Sequence, residues 1–417
     1  MKVASEFDPI FVHASPRSGS TYFFNVLRRN ESLLCFNEAI MDGKRDYGRL
    51  KKTEERDLLR VEAQKWDVNH HFLEREDFEE FIDAWDSAMH LCPEFPSFHD
   101  YLPPNGVLSK DLSAYLAGLM SYARLQNKRP VLCEINSRGR AGALRGAFGG
   151  YHIAQYRDPF SQFGSFVRAL VEGQTWGFLS TPLTELGTSA GHPLYRLIPE
   201  TWRVPNLPWR TASRAQFWAS CARYIAATAS LRPETVENLF AWHMFSWVLN
   251  NLVAVSYSDM ALDIDKVHDD ANYCASVIGD LTREIGVAPD FSDIKKYDRY
   301  YEFESFDATA VCDQIVSTIK SALADGRLDA ALRSLGTQPP LVPAESAVEL
   351  LLTKIHGSLA SMANSTHRHR VSVAEWKAIA VKNQRIWFNP SILRLAEYIY
   401  PVAAPVVWAA RRAGISI

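Results

Sequence analysis

The residues best suited to chemistry in this sequence lie in a short polar turn near its start. An apolar run over residues 10–14 predicts a strand, and residues 22–29 predict a helix. The turn between them consists of small, hydroxyl-bearing and cationic residues: Ser15, Pro16, Arg17, Ser18, Gly19, Ser20 and Thr21. Backbone N–H groups at a helix start bind anions, hydroxyls and a guanidinium add donors, and a glycine permits close approach. The turn therefore predicts an oxyanion site.

The turn differs from the phosphate loop of kinases that use magnesium nucleotides. That loop has a glycine, four further residues, then Gly-Lys and Ser or Thr. Here Gly19 is followed by Ser20, and the first glycine is missing. A nucleotide-dependent kinase is therefore a disfavoured alternative. An ordinary strand, turn and helix with a serine cap would also account for the segment.

A second strand end carries another cation. Residues 152–156 predict a strand that ends at Arg157, and residues 160–171 predict a helix that contains Ser165. Because ligands of parallel sheets bind beyond the carboxyl ends of the strands, Arg157 is expected to face the same crevice as the first turn. The Arg–Ser pair is weak evidence alone. Its weight comes from its occurrence together with the first turn.

These two motifs resemble those of the sulfotransferase superfamily. Residues 16–21 are similar to its 5′-phosphosulfate loop, and Arg157 with Ser165 is similar to its 3′-phosphate motif. The resemblance implies that the donor is 3′-phosphoadenosine-5′-phosphosulfate (PAPS) and that Arg17 contacts the sulfuryl group. It implies a donor-binding loop formed by Ser15, Arg17, Ser18, Gly19, Ser20 and Thr21. The resemblance covers roughly residues 8–286.

A third segment extends the resemblance to the adenine. Residues 252–257 predict a strand, and residues 253–260 are similar to the family's strand that ends in Tyr-Glu-Asp-Leu. This similarity implies that Tyr257 contacts the adenine ring. Ser258 stands where the family has a glutamate, which puts any ion pair of that residue in doubt.

The candidate catalytic base is Glu38. It follows a predicted strand over 33–36, 21 residues after Arg17, and residues 35–38 resemble the segment that carries the base in protein-tyrosine sulfotransferases. Cytosolic members use a histidine instead, for which His70 and His71 lie nearest in sequence but match no motif. His243 lies among apolar residues and is expected in the core.

Two arginines are further candidates for stabilising the transferring group. The family often has a Lys or Asn at the end of the strand before the 3′-phosphate motif. Here the predicted strand over 131–135 is followed by Arg138 and Arg140. The sequence leaves the choice between them open.

The predicted strands alternate with helical patterns, which indicates an α/β fold with a parallel sheet flanked by helices. The resemblance to sulfotransferases implies that this fold is the P-loop-like sulfotransferase fold. We predict one domain over 1–335 with insertions at about 42–105 and 172–208, and a helical C-terminal extension over 336–417. The insertions would serve as lids and acceptor walls, or as solvated surface.

The composition narrows the class of protein. The net charge of −3, from 45 basic and 48 acidic residues, gives no basic excess for nucleic acid. The six cysteines include no CxxC pair, so we expect reduced thiols and no metal. No secretory signal is evident, so a cytoplasmic location is expected. Residues 392–417 are apolar with Pro401 and Pro405, and either contact a membrane surface or pack on protein.

The predicted function is sulfuryl transfer from PAPS to a hydroxyl or amine, with a carbohydrate or a glycolipid (a lipid-linked glycan) as the favoured acceptor. Tryptophans in or next to the two insertions offer stacking faces to sugar rings: Trp66, Trp85, Trp176, Trp202 and Trp209. A hydrophobic small molecule is the alternative acceptor. A nucleotide-binding module without catalysis is the remaining alternative function.

Overall fold

The computed structural model describes residues 8–41, 44, 79–93, 96–98, 100–173, 177–204, 234–295 and 299–379. Its centre is a five-stranded sheet, whose strands are β1 (Ile10–His13), β2 (Leu33–Asn37), β3 (Arg129–Glu134), β4 (Tyr151–Tyr156) and β5 (Met260–Asp263). The strand order is β2-β3-β1-β4-β5, and every pairing is parallel. The predicted α/β class with a parallel sheet flanked by helices is confirmed.

The α-helices among the described residues follow in chain order. They are α1 (Ser20–Arg28), α2 (Glu79–Asp83), α3 (Lys110–Leu125), α4 (Ala141–Phe148), α5 (Pro159–Gly173), α6 (Gly177–Thr188), α7 (Glu234–Ser256), α8 (Ile264–Asp269), α9 (Ala271–Ile285), α10 (Ala308–Ala324), α11 (Arg327–Arg333) and α12 (Ala344–Asn364). A second, two-stranded parallel sheet pairs β6 (Tyr300–Phe303) with β7 (Arg368–Val371).

Helices cover both faces of the main sheet because alternate strand residues point to opposite sides. Ile10 and Val12 pack in one apolar cluster with side chains of α1 and α9. Phe11 packs in another with side chains of α3 and α4. Both faces of the main sheet are therefore shielded from solvent, which explains why the strands appear in the sequence as continuous apolar runs.

The strand predicted over 252–257 is wrong. Residues 252–256 end the 23-residue helix α7, and the last sheet strand is β5. Nearly every described side chain of α7 is buried, so its sequence lacks the polar face that marks a surface helix. A short apolar run with β-branched residues cannot then be assigned from periodicity alone.

The described part of the predicted C-terminal extension packs on the sheet domain. Ala347, Leu351 and Ile355 of α12 are fully buried in the same apolar cluster as α7. The predicted boundary at residue 336 stays a prediction, and residues 392–417 lie outside the described residues. Within the described chain, no helix is both long and apolar enough to cross a membrane.

Candidate functional site

The turn after β1 forms a tight loop at the carboxyl edge of the sheet. The backbone N–H and the hydroxyl of Ser18 both donate to the carbonyl of Ser15, at 3.2 and 2.7 Å. Arg17 and Gly19 take left-handed backbone conformations, with φ of 62° and 83°. Helix α1 then begins at Ser20 with no side-chain cap at Gly19 and no acidic residue in its first turn. Its N-terminal N–H groups therefore keep their attraction for an anion.

Two buried glutamines hold this loop from neighbouring elements. Gln155 of β4 donates to the carbonyl of Ser18 at 2.9 Å. Gln162 of α5 donates to the hydroxyl of Ser15 and the carbonyl of Pro16, both at 2.6 Å. Neither glutamine was predicted as a site residue from the sequence. Gln155 could have been recognised, because a polar side chain inside an apolar strand needs a hydrogen-bond partner.

Arg157 and Ser165 converge on the loop. The Nη1 of Arg157 donates to the carbonyl of Arg17 at 3.1 Å, and the Nε of Arg17 donates to the hydroxyl of Ser165 at 3.0 Å. Arg157 is only 8% exposed. The guanidinium of Arg157, the side chain of Arg17 and the start of α1 therefore meet at one place, the anion crevice. Ser165 contacts Arg17, where the resemblance pairs it with Arg157.

The second insertion contributes a wall to this crevice. The guanidinium of Arg17 lies 5.4 Å from the ring centre of Phe178, at the start of α6. A cation over an aromatic face is attracted by the ring quadrupole. The same helix buries Leu179, Leu183 and Leu186 in the core. This part of the insertion is therefore a packed element that touches the site, and the described part of it is not solvated decoration.

Glu38 lies at the same edge of the sheet, beyond β2. Its N–H donates to the carbonyl of Cys133 at 2.7 Å, and its backbone is left-handed with φ of 54°. A non-glycine residue in that region is strained, and such residues concentrate at functional sites. Strand β3 lies between β2 and β1, so Glu38 and the loop are two strand spacings, roughly 10 Å, apart.

Glu134, at the end of β3, occupies the gap between them. Its backbone carbonyl accepts from Ala14 at 2.8 Å, and its Oε2 accepts from the N–H of Ile40 at 2.9 Å. Its side chain is 1% exposed, and its Oε1 is buried with no hydrogen-bond partner. Burial, with the nearby charge of Glu38, raises the pKa of Glu134 to about 8. No role was predicted for Glu134 from the sequence.

Tyr257 is not part of this assembly. It precedes β5, at the end of the sheet opposite to the loop. Its hydroxyl donates to the carbonyl of Leu332 at 2.8 Å, and its ring packs against Gly142 and Gly336. Tyr257 is fully buried, so the predicted contact with an adenine at the loop is wrong. The error follows from the misassigned strand, which placed Tyr257 at a carboxyl end.

Arg138 and Arg140 are committed to internal contacts. Arg140 is fully buried and donates to the backbone carbonyls of Ser97, Asp100 and Asn136. Arg138 forms a buried ion pair with Glu185 of α6 at 3.0 Å. Neither predicted role at the transferring group is supported by these contacts. Their charges hold the turn after β3 to α6 and to the segment before α3.

The remaining aromatic and histidine candidates fall into two groups, the first of which lies among the described residues. In that group, Trp85 is partly buried against the apolar cluster that contains Phe11. Trp202 is 6% exposed and packs on Phe245, so it offers no stacking face. His243 is 2% exposed and packs on Phe163 and Phe166, as predicted for a core histidine. The other group lies outside the described residues and comprises His70, His71, Trp66, Trp176 and Trp209.

A cavity of about 990 Å³ opens at the amino-terminal ends of β4 and β5, away from the loop. Its charged groups form internal pairs, such as Arg145 with Asp259 at 2.8 Å and Arg283 with Asp280 at 2.6 Å. Ion pairs of this kind satisfy one another and leave little charge for a ligand. The loop after β1, Arg157 and Glu38 lie at the opposite edge of the sheet.

Comparison with protein-family models, with curated proteins and with solved structures finds no match to this chain. Among the described residues, no group of three or more His, Cys, Asp or Glu side chains could hold a metal ion. The loop after β1, Arg17, Arg157 and the carboxylates of Glu38 and Glu134 are thus the candidate functional groups among the described residues.

Proposed function

We propose that this protein is a sulfotransferase with a P-loop-like sulfotransferase fold, which moves a sulfuryl group from PAPS to an acceptor hydroxyl or amine. One observation carries the proposal: Arg157 donates to the carbonyl of Arg17 at 3.1 Å, so two separate sequence motifs form one cationic crevice. The start of α1 opens on the same crevice. A donor with anionic groups at its 5′ and 3′ positions suits two such cations.

In this proposal each motif binds one end of the donor. The N–H groups at the start of α1 and the hydroxyls of Ser20 and Thr21 hold the 5′-phosphosulfate. Arg17 faces the sulfuryl group, and Arg157 binds the 3′-phosphate. Bidentate recognition of phosphate oxygens is the geometry to which guanidinium groups are suited.

The transfer itself needs positioning and charge stabilisation more than covalent chemistry, as in phosphoryl transfer. The acceptor oxygen or nitrogen forms a bond to sulfur while the bond from sulfur to the bridging oxygen breaks. The electron pair of that bond leaves on 3′-phosphoadenosine-5′-phosphate (PAP), where Arg17 stabilises the negative charge. Glu38 takes the acceptor proton, a contribution of roughly 10²–10⁴-fold for a general base.

The acceptor is proposed as a carbohydrate or glycolipid hydroxyl. Trp202 is a core residue and therefore offers no stacking face to such an acceptor. An extract of the source cells incubated with labelled PAPS would identify the product. Label confined to small phenols or sterols would contradict the carbohydrate assignment and leave the sulfotransferase assignment standing.

The donor is tested by calorimetric titration of the whole chain with PAP and, separately, with ATP and Mg²⁺. We expect PAP to bind more tightly, because the loop lacks the lysine that contacts the nucleotide β- and γ-phosphates. Tighter binding of ATP with Mg²⁺ would favour a kinase and overturn the proposal. Binding of PAP without turnover of PAPS across acceptors, including the cell extract, would favour a non-catalytic module.

A further inference from the structure

An ionic network behind Arg157 links the anion crevice to the C-terminal helix α12. The Nζ of Lys354 lies 2.8 and 2.9 Å from the two carboxylate oxygens of Asp263 and 2.9 Å from Oδ2 of Asp265. Asp265 also accepts from the N–H of Asp158 at 2.6 Å. Its Oδ1 lies 3.7 Å from Nη2 of Arg157.

The distances show which of its two cationic neighbours Asp265 contacts more closely. Its contact with Lys354 is a close ion pair, whereas its contact with Arg157 is 0.8 Å longer (3.7 against 2.9 Å). Burial disfavours the charged form of Asp265, but Arg157 and Lys354 outweigh it and lower the pKa of this carboxyl. Asp265 is therefore an anion that Lys354 holds close to, but not tightly against, Arg157.

Removal of the Lys354 ammonium group would change the ion pairs of Asp265. The carboxylates of Asp263 and Asp265 would lose their nearest cation in a largely buried environment, where an uncompensated charge is costly. Asp265 would then pair closely with Arg157, and a phosphate entering the crevice would compete with that carboxylate. The expected result is weaker binding of an anion at Arg157 alone.

We propose that Lys354 is a positioning residue for the anion site: by holding Asp263 and Asp265, it keeps Asp265 from drawing Arg157 away from the Arg17 loop. This inference rests on the proposed function, because it assigns Arg157 to the 3′-phosphate of the donor. It gives the helix over 344–364 a role in donor binding.

The test compares two nucleotides that differ only in the 3′-phosphate. Calorimetry measures the binding of PAP and of adenosine 5′-phosphate to the wild type, Lys354→Met and Lys354→Arg. We expect Lys354→Met to bind PAP roughly tenfold more weakly, since the loss of one hydrogen-bonded contact to a charged group weakens binding by about that factor or more. Binding of adenosine 5′-phosphate should be unchanged, and Lys354→Arg should retain most of the PAP affinity.

A matched control and a rescue variant separate this role from general destabilisation. Lys320→Met removes an exposed lysine from α10 and should bind both nucleotides as the wild type does. Asp265→Asn combined with Lys354→Met should recover PAP affinity, because an amide does not pair with Arg157 as an ion. Lys354→Gln replaces Lys354→Met if urea unfolding shows that the latter does not fold.

The outcomes distinguish the two claims. If the wild type and Lys354→Met bind PAP equally well, the proposed role of Lys354 is wrong. The proposed function is not affected by that result. An equal loss for both nucleotides, or no recovery in the double variant, would also overturn the role of Lys354. A wild type that does not bind PAP would overturn the proposed function and this inference with it.

Discussion

Arg17 takes part in most of the contacts that define the anion crevice. Its backbone carbonyl accepts from Arg157, its Nε donates to Ser165, and its guanidinium lies over the ring of Phe178. The backbone of Arg17 is left-handed, with φ of 62°, a strained conformation for a residue other than glycine. A long cationic side chain held by two partners, Ser165 and Phe178, can stabilise charge in the proposed reaction without reorganising.

Arg17→Ala should therefore lower the turnover number by ~10²–10³-fold, as expected when one donor to a developing charge is lost. Arg17→Lys should recover part of the rate because it restores the charge without the planar donor fork. The measurement is the rate of PAP formation from PAPS with the cell extract as acceptor. Arg124→Ala, an exposed position on α3, is the control. Equal rates in Arg17→Ala and the wild type would remove Arg17 from the mechanism.

Glu134 should give the activity an alkaline limit. Its pKa of about 8 means that it is mostly protonated at neutral pH and ionises as the pH rises. Ionisation places a second negative charge near that of Glu38, next to the proposed path of an anionic sulfuryl group. We expect kcat/KM to fall as the pH rises through about 8.

Glu134→Gln keeps the shape of the protonated acid and cannot ionise. Its rate at pH 7 should stay close to that of the wild type, and the alkaline fall should disappear from its pH profile between pH 6 and roughly 9.5. Glu38→Gln, in contrast, should lose ~10²–10⁴-fold at every pH in that range. An unchanged alkaline limb in Glu134→Gln would assign that limb to another group.

At the scale of elements, helix α5 must lie close to β6 for the site to form. A Cβ added at Gly164 would lie 2.8 Å from the carbonyl oxygen of Arg299 and 3.2 Å from the ring of Tyr301. Gly164 stands next to Ser165 and two residues after Gln162, which holds the loop. The absence of a side chain at this position therefore sets the distance between α5 and its neighbour.

Gly164→Ala should destabilise the protein by about 1–3 kcal/mol, the usual range for overpacking. It should also weaken PAP binding, because α5 carries Ser165 and Gln162. Gly279→Ala on α9 is the matched control, since its added Cβ would meet nothing within 4 Å. That change should stabilise the protein by about 0.5–1 kcal/mol through helix propensity. Urea unfolding measures both, and equal shifts in the two variants would contradict the close contact at Gly164.

The sequence predicted the elements that carry a local signal. Strands β1 to β4 are bounded by turns, and the loop after β1 has a distinctive order of residues, so both were predictable. Helix α7 was not, because burial on all sides removes its periodicity. Gln162 and Lys354 are typical helix residues whose role depends on partners 146 and 91 residues away in the chain. No local pattern records such contacts.

At the scale of the whole molecule, a buried pair of histidines ties the sheet together. The Nε2 of His152 lies 2.9 Å from the carbonyl of Gly149, which only accepts, so this nitrogen carries the proton. The Nδ1 of His152 then accepts from the Nε2 of His13 at 2.9 Å, and the Nδ1 of His13 accepts from the hydroxyl of Ser137 at 2.7 Å. Both rings are neutral in this chain of hydrogen bonds.

These buried histidines should make the folded state sensitive to acid. Burial lowers the pKa of His152 to about 4 and that of His243 to about 3, against about 6.5 for the unfolded chain. Below pH 6.5 these histidines bind protons in the unfolded chain but not in the folded state. The free energy of unfolding therefore falls as the pH falls toward about 4. Each such histidine contributes a slope of about 1.4 kcal/mol per pH unit in that window.

His243→Phe isolates one of these contributions. His243 packs between Phe163 and Phe166 and makes one hydrogen bond to the carbonyl of Pro159, so a phenyl ring fits its surroundings. The free energy of unfolding in urea, measured from pH 7.5 to pH 4.5, should decrease less steeply in the variant by about 1.4 kcal/mol per pH unit below pH 6.5. Above that pH the two curves should run parallel, whatever their offset. Curves that stay parallel down to pH 4.5 would mean that His243 takes up a proton in the folded state as readily as in the unfolded chain.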